Sequence, residues 1–417
     1  MQPASRRVRK RSGSFNKKGA LGLIFVIMLM DIIGITILNP VAPYLVRRYD
    51  ERALMVTMIT IIYAVGQFVA APLMGKLGDR LGRRPVLLVS IAGQGAGYLI
   101  FALGGSLWVL LAARLVGGIT GGNLSTAAAY IADVSAPQER SKNFAMIGTA
   151  WSLGLILGPA AGGLMGTLAL EAPAYIAAVL SFVNVGLGFF LLQESLPRER
   201  RETTPLRGAD LNPIVAIVDM GRKPGLGWLL IVMSLFNFAF NGINAVGVLF
   251  VIDKFHAATW QVSVMLMLGG GTIAVCNSLL VPRWVPRFGE RVTGAVSLLG
   301  MAVFDVAIFL VPLLWLVILI SMAVSAMSSF TFPTLTTLST DRVGHSEVGL
   351  LLGVTTAIGS LMNILGPLWA GAIYDHVMVG SPYWMGAAVF VTAGLMLLRP
   401  ATIDRGGRKL YRPVTER

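Results

Sequence analysis

The sequence predicts an all-α membrane protein of twelve transmembrane helices arranged as two pseudo-symmetric six-helix halves. Three observations lead there. The 417 residues are 55% apolar and only 13% charged, with a mean hydropathy of +0.74, where a soluble domain carries about 25% charge. Uncharged apolar runs recur from Leu21 to Leu398; twelve helices of about 23 residues would use roughly 276 residues and leave about 141 for loops and termini. Finally, once the runs are counted, Lys and Arg fall almost entirely on one side of the membrane.

The spans are expected at 20–45, 54–74, 85–103, 106–134, 142–166, 173–192, 226–251, 260–281, 292–311, 314–339, 348–374 and 383–398. The first is too long for a signal peptide, contains Asp31 and is followed by no small-residue cleavage site. The second and third are parted by the polar stretch 75–84, and Pro85 suits a helix's first turn. The fourth carries Arg114 and the fifth a run of glycines around Pro159. After the sixth comes the only sizeable polar stretch, 193–225, which divides the chain into a half 1–192 with a basic tail, a linker, and a half 226–417. Within the linker, Asn212-Pro213 leads into Ile214, Ile217 and Val218, a short amphipathic patch expected on the membrane surface. The seventh span holds Asn237, Asn241 and Asn244, and the ninth holds Asp305.

With twelve spans both termini share a side. That side collects 29 Lys and Arg against four (Arg47, Arg48, Arg52 and Lys254) on the other, with Arg114 inside a span. The positive-inside rule then places both termini in the cytoplasm of a cell inner (plasma) membrane protein. The net charge of +14 is thereby topological and calls for no nucleic acid, although the tail Arg6–Lys18 can also meet anionic lipid. The single cysteine, Cys276, rules out internal disulfides and cysteine metal sites. His256, His345 and His376 lack ligand spacing, and no catalytic motif is present. Neither an enzyme nor a metal or cofactor site is expected.

The halves repeat at a spacing of about 208 residues. Leu157-Gly158-Pro159 returns as Leu365-Gly366-Pro367, Asp133 as Asp341, Glu139 as Glu347 and Ser152 as Ser360. Arg80-Leu81-Gly82 returns, shifted by one, as Arg287-Phe288-Gly289. Such internal repeats place a central cavity near the midplane.

Between the second and third spans the chain reads Gly75-Lys76-Leu77-Gly78-Asp79-Arg80-Leu81-Gly82-Arg83-Arg84-Pro85. A positive-inside loop explains its cations but not the glycines and acid between them. The pattern resembles the signature of the major facilitator superfamily, in which this loop is a latch. The resemblance implies that Asp79 sits against the N-terminus of the eleventh span, around Ser346–Gly349, and that Arg83 pairs with Asp133. The second copy has Pro286 in place of the acid, so a weaker latch of Arg287 or Arg291 with Asp341 is expected there.

In the fifth span, Gly154, Gly158, Pro159, Gly162 and Gly163 form a string that, as packing, lets helices approach closely. It also resembles the antiporter signature of superfamily drug exporters. Arg114, followed by Gly117-Gly118 and Gly121-Gly122, resembles those exporters' fourth-span arginine, linked to proton transfer; snorkelling to the outer interface is the alternative. Asp31, near the midplane, can load and release a proton, engage a cationic substrate, or cap a backbone break near Gly34 or Pro40. Asp305 is either a second protonation site or faces the outer vestibule. The three asparagines at i, i+4 and i+7 share one face, and either line the cavity or bond to neighbouring helices. Gln67 and Asn363 are further cavity candidates.

Asp31 with Pro40 and Pro43, Ala71-Pro72-Leu73 through Arg84-Pro85-Val86, and Asn212-Pro213 make the likeness strongest to twelve-helix drug/proton antiporters of the tetracycline-resistance type. Those exporters carry a third-span carboxylate just before a tyrosine, where this chain has Gly97 before Tyr98. They also carry an eighth-span histidine that residues 260–281 lack, and a ninth-span aspartate nearer the helix start than Asp305. The resemblance therefore implies a monomeric, proton-coupled exporter of a small, fairly apolar compound, and not tetracycline itself. Its alternatives are a proton-coupled nutrient importer of the same fold and a non-transporting membrane receptor or scaffold.

Overall fold

The computed structural model describes residues 17–136, 139–201, 213–344 and 347–398. The helices are α1 (Lys17–Thr36), α2 (Ala42–Arg47), α3 (Ala53–Leu81), α4 (Arg83–Leu103), α5 (Leu107–Thr120), α6 (Asn123–Val134), α7 (Arg140–Gly166), α8 (Ala172–Leu191), α9 (Pro213–Gly221), α10 (Gly227–Phe255), α11 (Thr259–Val275), α12 (Val281–Phe288), α13 (Glu290–Leu310), α14 (Leu314–Thr340), α15 (Val348–His376) and α16 (Ser381–Leu398). Twelve spans are long and apolar enough to cross a membrane, with α5–α6 and α11–α12 each forming one. The membrane face at which α1 begins and α16 ends is here the terminal face, and the opposite one the far face. Val69, Val89, Leu103 and Val303 are each about two-thirds exposed, as on a surface wetted by lipid rather than water.

Three expected boundaries move and one span breaks within its expected bounds, each for a local reason. The first span does not run to 45. It stops at Thr36, because Pro40 has no N–H to continue the ladder, and resumes as α2 with Pro43 in its first turn. The stretch 75–84 is not a loop: α3 continues through it to Leu81, and one residue, Gly82 at φ +108°, makes the whole turn into α4. The fourth span breaks at Gly121–Gly122, where a Cβ would stand 2.7 Å from the Tyr63 hydroxyl or 2.9 Å from Met74. The eighth span passes through a π turn, Cys276–Leu280, and stays helical to Phe288.

Within the first six spans α1 packs on α7 and α8, and α4 on α5 and α8; within the last six α10 packs on α15, and α13 on α14 and α16. Across the halves α3 lies along α15 and α7 along α11. The linker helix α9 does not merely lie on a membrane surface. Ile217 and Met220 join a cluster with Leu230, Leu351, Val354 and Ile358 of α10 and α15. Asn212, the basic tails and Ser346 fall outside the described residues, and the Ile214 side chain is likewise not described.

The glycine string of α7 has two working faces. Gly154, Gly158 and Gly162 meet the broken end of α1: a Cβ at Gly158 would stand 3.1 Å from the Ile37 nitrogen, and one at Gly162 3.0 Å from Pro40. Thr36 Oγ1 donates to the carbonyl of Gly154 at 2.9 Å. Gly163 instead faces Ser263 and Thr259 of α11. Pro159 leaves the Leu155 carbonyl without its in-helix donor, and Gly270 of α11 comes so close to that carbonyl that a Cβ would lie 2.7 Å away.

Candidate substrate and proton sites

Asp31 is 9% exposed on α1. It lines a small cavity with Ile27, Met28, Leu87, Ile91 and Asn123, and its Oδ1 has no hydrogen-bond partner. Asn123 faces it across that cavity, at the first position of α6 because the Gly121–Gly122 break starts a new helix there. Asn123 Nδ2 donates to Gln94 Oε1 at 3.4 Å, and Gln94 Nε2 to the Tyr98 hydroxyl at 2.7 Å. A polar chain thus runs beside Asp31 from α6 into α4, with Gln94 fully buried.

Arg114 is not paired with Asp31. Its guanidinium lies over the rings of Tyr63 (5.4 Å) and Phe101 (5.6 Å). Its Nε has no partner, and among the described residues it makes no ion pair. Tyr63 lies against Arg114, while the Tyr98 hydroxyl accepts from Gln94 and its ring faces Gly34 of α1, one turn beyond Asp31. Gly97 sits where α4 meets α5, and a Cβ there would be 3.0 Å from the Ala113 carbonyl. A side chain at this position would crowd two backbone atoms of α5, so the carboxylate that the sequence lacks here would require α4 and α5 to move apart.

Arg114 lines a central cavity of about 210 Å³ between the halves. Asn39, Pro43, Val56, Ile59 and Thr60 form one wall, and Asn241, Asn244, Val248, Leu266 and Asn363 the other. Asn241 and Asn363 also line a cavity of about 330 Å³ with Asn237, Thr355, Thr356 and Ser360. Asn244 extends into a third, of about 180 Å³, which holds Asp305 with Ser321, Ser325, Ser328 and Tyr383. Asp305 is 1% exposed, and neither carboxylate oxygen has a partner. The structure therefore gathers Arg114, the three asparagines, Asn363 and Asp305 into adjoining cavities and leaves Asp31 in its own. Gln67 is used differently, its amide donating to the Gly121 carbonyl at 3.2 Å, where it ties off the break in the fourth span.

At the terminal face Arg83 holds both Asp79, 2.5 Å away, and Asp133, at 3.3 Å. Ser195 adds a bond to Asp133 at 3.1 Å. Asp79 is therefore engaged within its own half and not at α15, whose first turn is met by a Lys223–Glu347 pair at 2.5 Å. That lysine holds the Glu347 carboxyl below its ordinary range through its hydrogen bond. Gly75 and Gly78 are helical. Gly82 is the necessary glycine: beyond its φ, a Cβ would stand 2.8 Å from the Glu194 carboxyl carbon, and Glu194 accepts the first N–H of α4, Arg83 N, at 2.9 Å. Asp341 takes no ion pair with Arg287 or Arg291 among the described residues, so the weaker second latch is not formed here.

The far face holds the contacts that sequence reading missed. Arg47 forks onto Asp253, which also accepts from the Tyr374 hydroxyl at 2.6 Å. Tyr44 donates to the Ala257 carbonyl. Asp375, at the end of α15, accepts the N–H groups of Ala53 (2.7 Å) and Leu54 (2.9 Å) at the start of α3. Apart from the Tyr374 bond, each joins residues before 193 to residues after 225. Among the described residues the hydrogen bonds across the halves all lie on this face, which is closed, while the polar cavities extend toward the terminal face. The signal available in sequence was faint: single charges at span ends read as interfacial anchors.

The major facilitator superfamily model matches residues 24–367, and again 278–414. The chain is 33% identical to the class C tetracycline resistance protein of Escherichia coli, over 93% of this chain and 97% of that one. It is 26% identical to the major facilitator superfamily domain-containing protein 10 of Mus musculus, over 94% of each. The crystal structure of the human organic anion transporter MFSD10 (TETRAN) superposes with a TM-score of 0.70 at 26% identity, covering 92% of this chain and 99% of that one. A peptide transporter, POT, superposes at 0.75 with 15% identity, over 91% of this chain and 93% of that one, and supports the fold alone. With its repeated halves, its interdomain cavity and these matches, the chain belongs to the major facilitator superfamily of membrane transporters.

Proposed function

We propose that the chain is a proton-coupled exporter of a small, largely apolar compound, with the terminal face in the cytoplasm. The carrying observation is the separation of two sites, one inside the first six spans and one between the halves. Asp31 sits in a tight pocket too small for an organic substrate, beside a chain of amides and a phenol, while the cavity that can take a substrate is lined by Arg114 and not by Asp31. Such a layout lets proton occupancy of Asp31 and substrate occupancy of the cavity bias one conformational equilibrium without competing for an atom. The cavity walls of Ala42, Pro43, Val56, Ile59, Ala245, Val248 and Leu266 suit an apolar body held by a few polar groups. Both the tetracycline resistance proteins and the organic anion transporter are relatives, so the substrate class has to come from the cavity.

Alternating access would follow from two caps. α3 and α15 run antiparallel across the halves, and each carries an aspartate near its C-terminal end. Asp375 caps α3 at the far face in this closed-outside state. Asp79 would cap α15 at the terminal face in the opposite state, releasing Arg83 to Asp133 alone. A carboxylate at a helix N-terminus is stabilising in either place, so the two states exchange like for like.

The test uses inverted vesicles energised to an acid interior, with a pH-sensitive dye. Substrate-driven proton release is expected from the wild type and none from Asp31→Asn. Equal release from both would overturn the assignment of Asp31.

A further inference from the structure

We infer that the central cavity is an anion subsite, in which Arg114 takes the carboxylate of an amphipathic organic anion and the amides of Asn241 and Asn244 hold it from the opposite half. This rests on the exporter reading and names the substrate class of the same cavity. A guanidinium within a span is costly unless it is paired or hydrated. Arg114 stacks on Tyr63 and Phe101, and stacking compensates part of that cost without supplying a counter-charge.

The acids on the surrounding elements are engaged elsewhere or lie apart. Asp31 occupies its own pocket with Asn123. Asp253 is held by Arg47 and Tyr374, Glu171 by Arg48, and Asp375 by the backbone of α3. Asp305 lies in the adjoining cavity, 1% exposed and reached past Asn244. The cavity thus presents a positive charge that makes no ion pair among the described residues, the amides of Asn241 and Asn244 opposite it, the latter giving one of its two N–H groups to the Phe240 carbonyl, and apolar walls. A planar carboxylate matches the guanidinium fork bidentately, and its ring would pack on Val56, Ile59, Val248 and Leu266. Such a ligand spans both halves, the requirement for a substrate that is to move the equilibrium between states.

The test compares three probes that share one ring system and differ in head group: 2-naphthoate, 2-naphthamide and 2-naphthylmethylamine. Binding to the full chain in nanodiscs, without a proton gradient, is read by tryptophan fluorescence and thermal shift. The naphthoate is expected to bind roughly tenfold to a hundredfold more tightly than the amide, the range of a hydrogen bond to a charged group. Arg114→Gln should erase that preference, and Arg114→Lys should restore part of it. Should the Gln variant fail to fold, the wild-type ranking still decides. Equal binding of all three, no binding of the naphthoate, or a preference for the amine, as an Asp305-directed cation site would give, overturns the inference. The failures are separable. Naphthoate binding that needs Arg114, with no substrate-driven proton release in vesicles, retains the subsite and removes proton-coupled export. Proton release driven by the amine or amide alone does the reverse.

Discussion

Single residues carry the departures of this chain from the exporters it resembles, and Gly97 is the sharpest. Its hydrogen faces the Ala113 carbonyl, and a Cβ would approach to 3.0 Å. Introducing the missing carboxylate as Gly97→Asp is therefore expected to lower the thermal midpoint of the purified protein and to confer no tetracycline transport. Overpacking alone costs about 1–3 kcal/mol, and an unpaired buried carboxylate adds to that. Gly97→Ala should show the steric part by itself. A Gly97→Asp variant that is as stable as the wild type would mean α4 and α5 can separate there, and that the packing described is not what excludes the carboxylate. Gly82→Ala is expected to be worse tolerated than alanine at Gly75, where nothing lies within 4 Å. At Gly82 the backbone is at φ +108° and Glu194 fills the space, a strain of about 1–3 kcal/mol, readable as a lower midpoint in the same assay.

Elements decide which state the transporter rests in, and the two faces of α7 should respond oppositely to bulk. Gly158→Leu pushes α1 away within one half and is expected to reduce the yield of folded protein. Gly163→Leu wedges α7 from α11 across the halves, and is expected to spare folding and open the far face. The caps predict the same motion from charge. With Thr60, which lines the central cavity, replaced by cysteine in a Cys276→Ser background, an impermeant maleimide reports access from each side. Asp375→Asn should raise labelling from the far face and Asp79→Asn should lower it. The Ala53 bond is partly buried and the Leu54 bond exposed, so about 1–2 kcal/mol, or roughly fivefold to thirtyfold in the state ratio, is expected. Unchanged labelling in both variants would reject the reciprocal caps. The twelve spans were legible because desolvating a backbone demands long apolar runs, and the Arg83–Asp133 pair because its motif is specific. The helical 75–81 stretch and the far-face pairs were not. A one-glycine turn looks like a loop in sequence, and Asp375 acquires meaning only when α15 is laid beside α3, more than 300 positions away in the chain.

At the scale of the whole molecule the charge carried per cycle ties the proposed proton site to the proposed anion subsite. Suppose one proton enters on Asp31 as one substrate leaves past Arg114. A cationic substrate then makes the exchange electroneutral, a neutral one moves one charge inward, and an anion moves two, the second being the substrate's own. Each charge is worth about 2.3 kcal/mol per 100 mV, so a potential of about 100 mV, negative inside, would offer an anion about 4.6 kcal/mol, equivalent to roughly three decades of concentration ratio. Proteoliposomes with no pH difference and a potential set by a potassium gradient and valinomycin separate these cases. Naphthoate movement is expected to respond to the potential alone, with about twice the steepness found for a neutral compound that the protein also carries. Asp31→Asn should halve that steepness if substrate still crosses, because the proton's charge is removed and the substrate's remains. Naphthoate movement indifferent to the potential would mean that its charge is balanced by a proton crossing in the same direction, which rejects the exchange of an anion for a proton at these two sites.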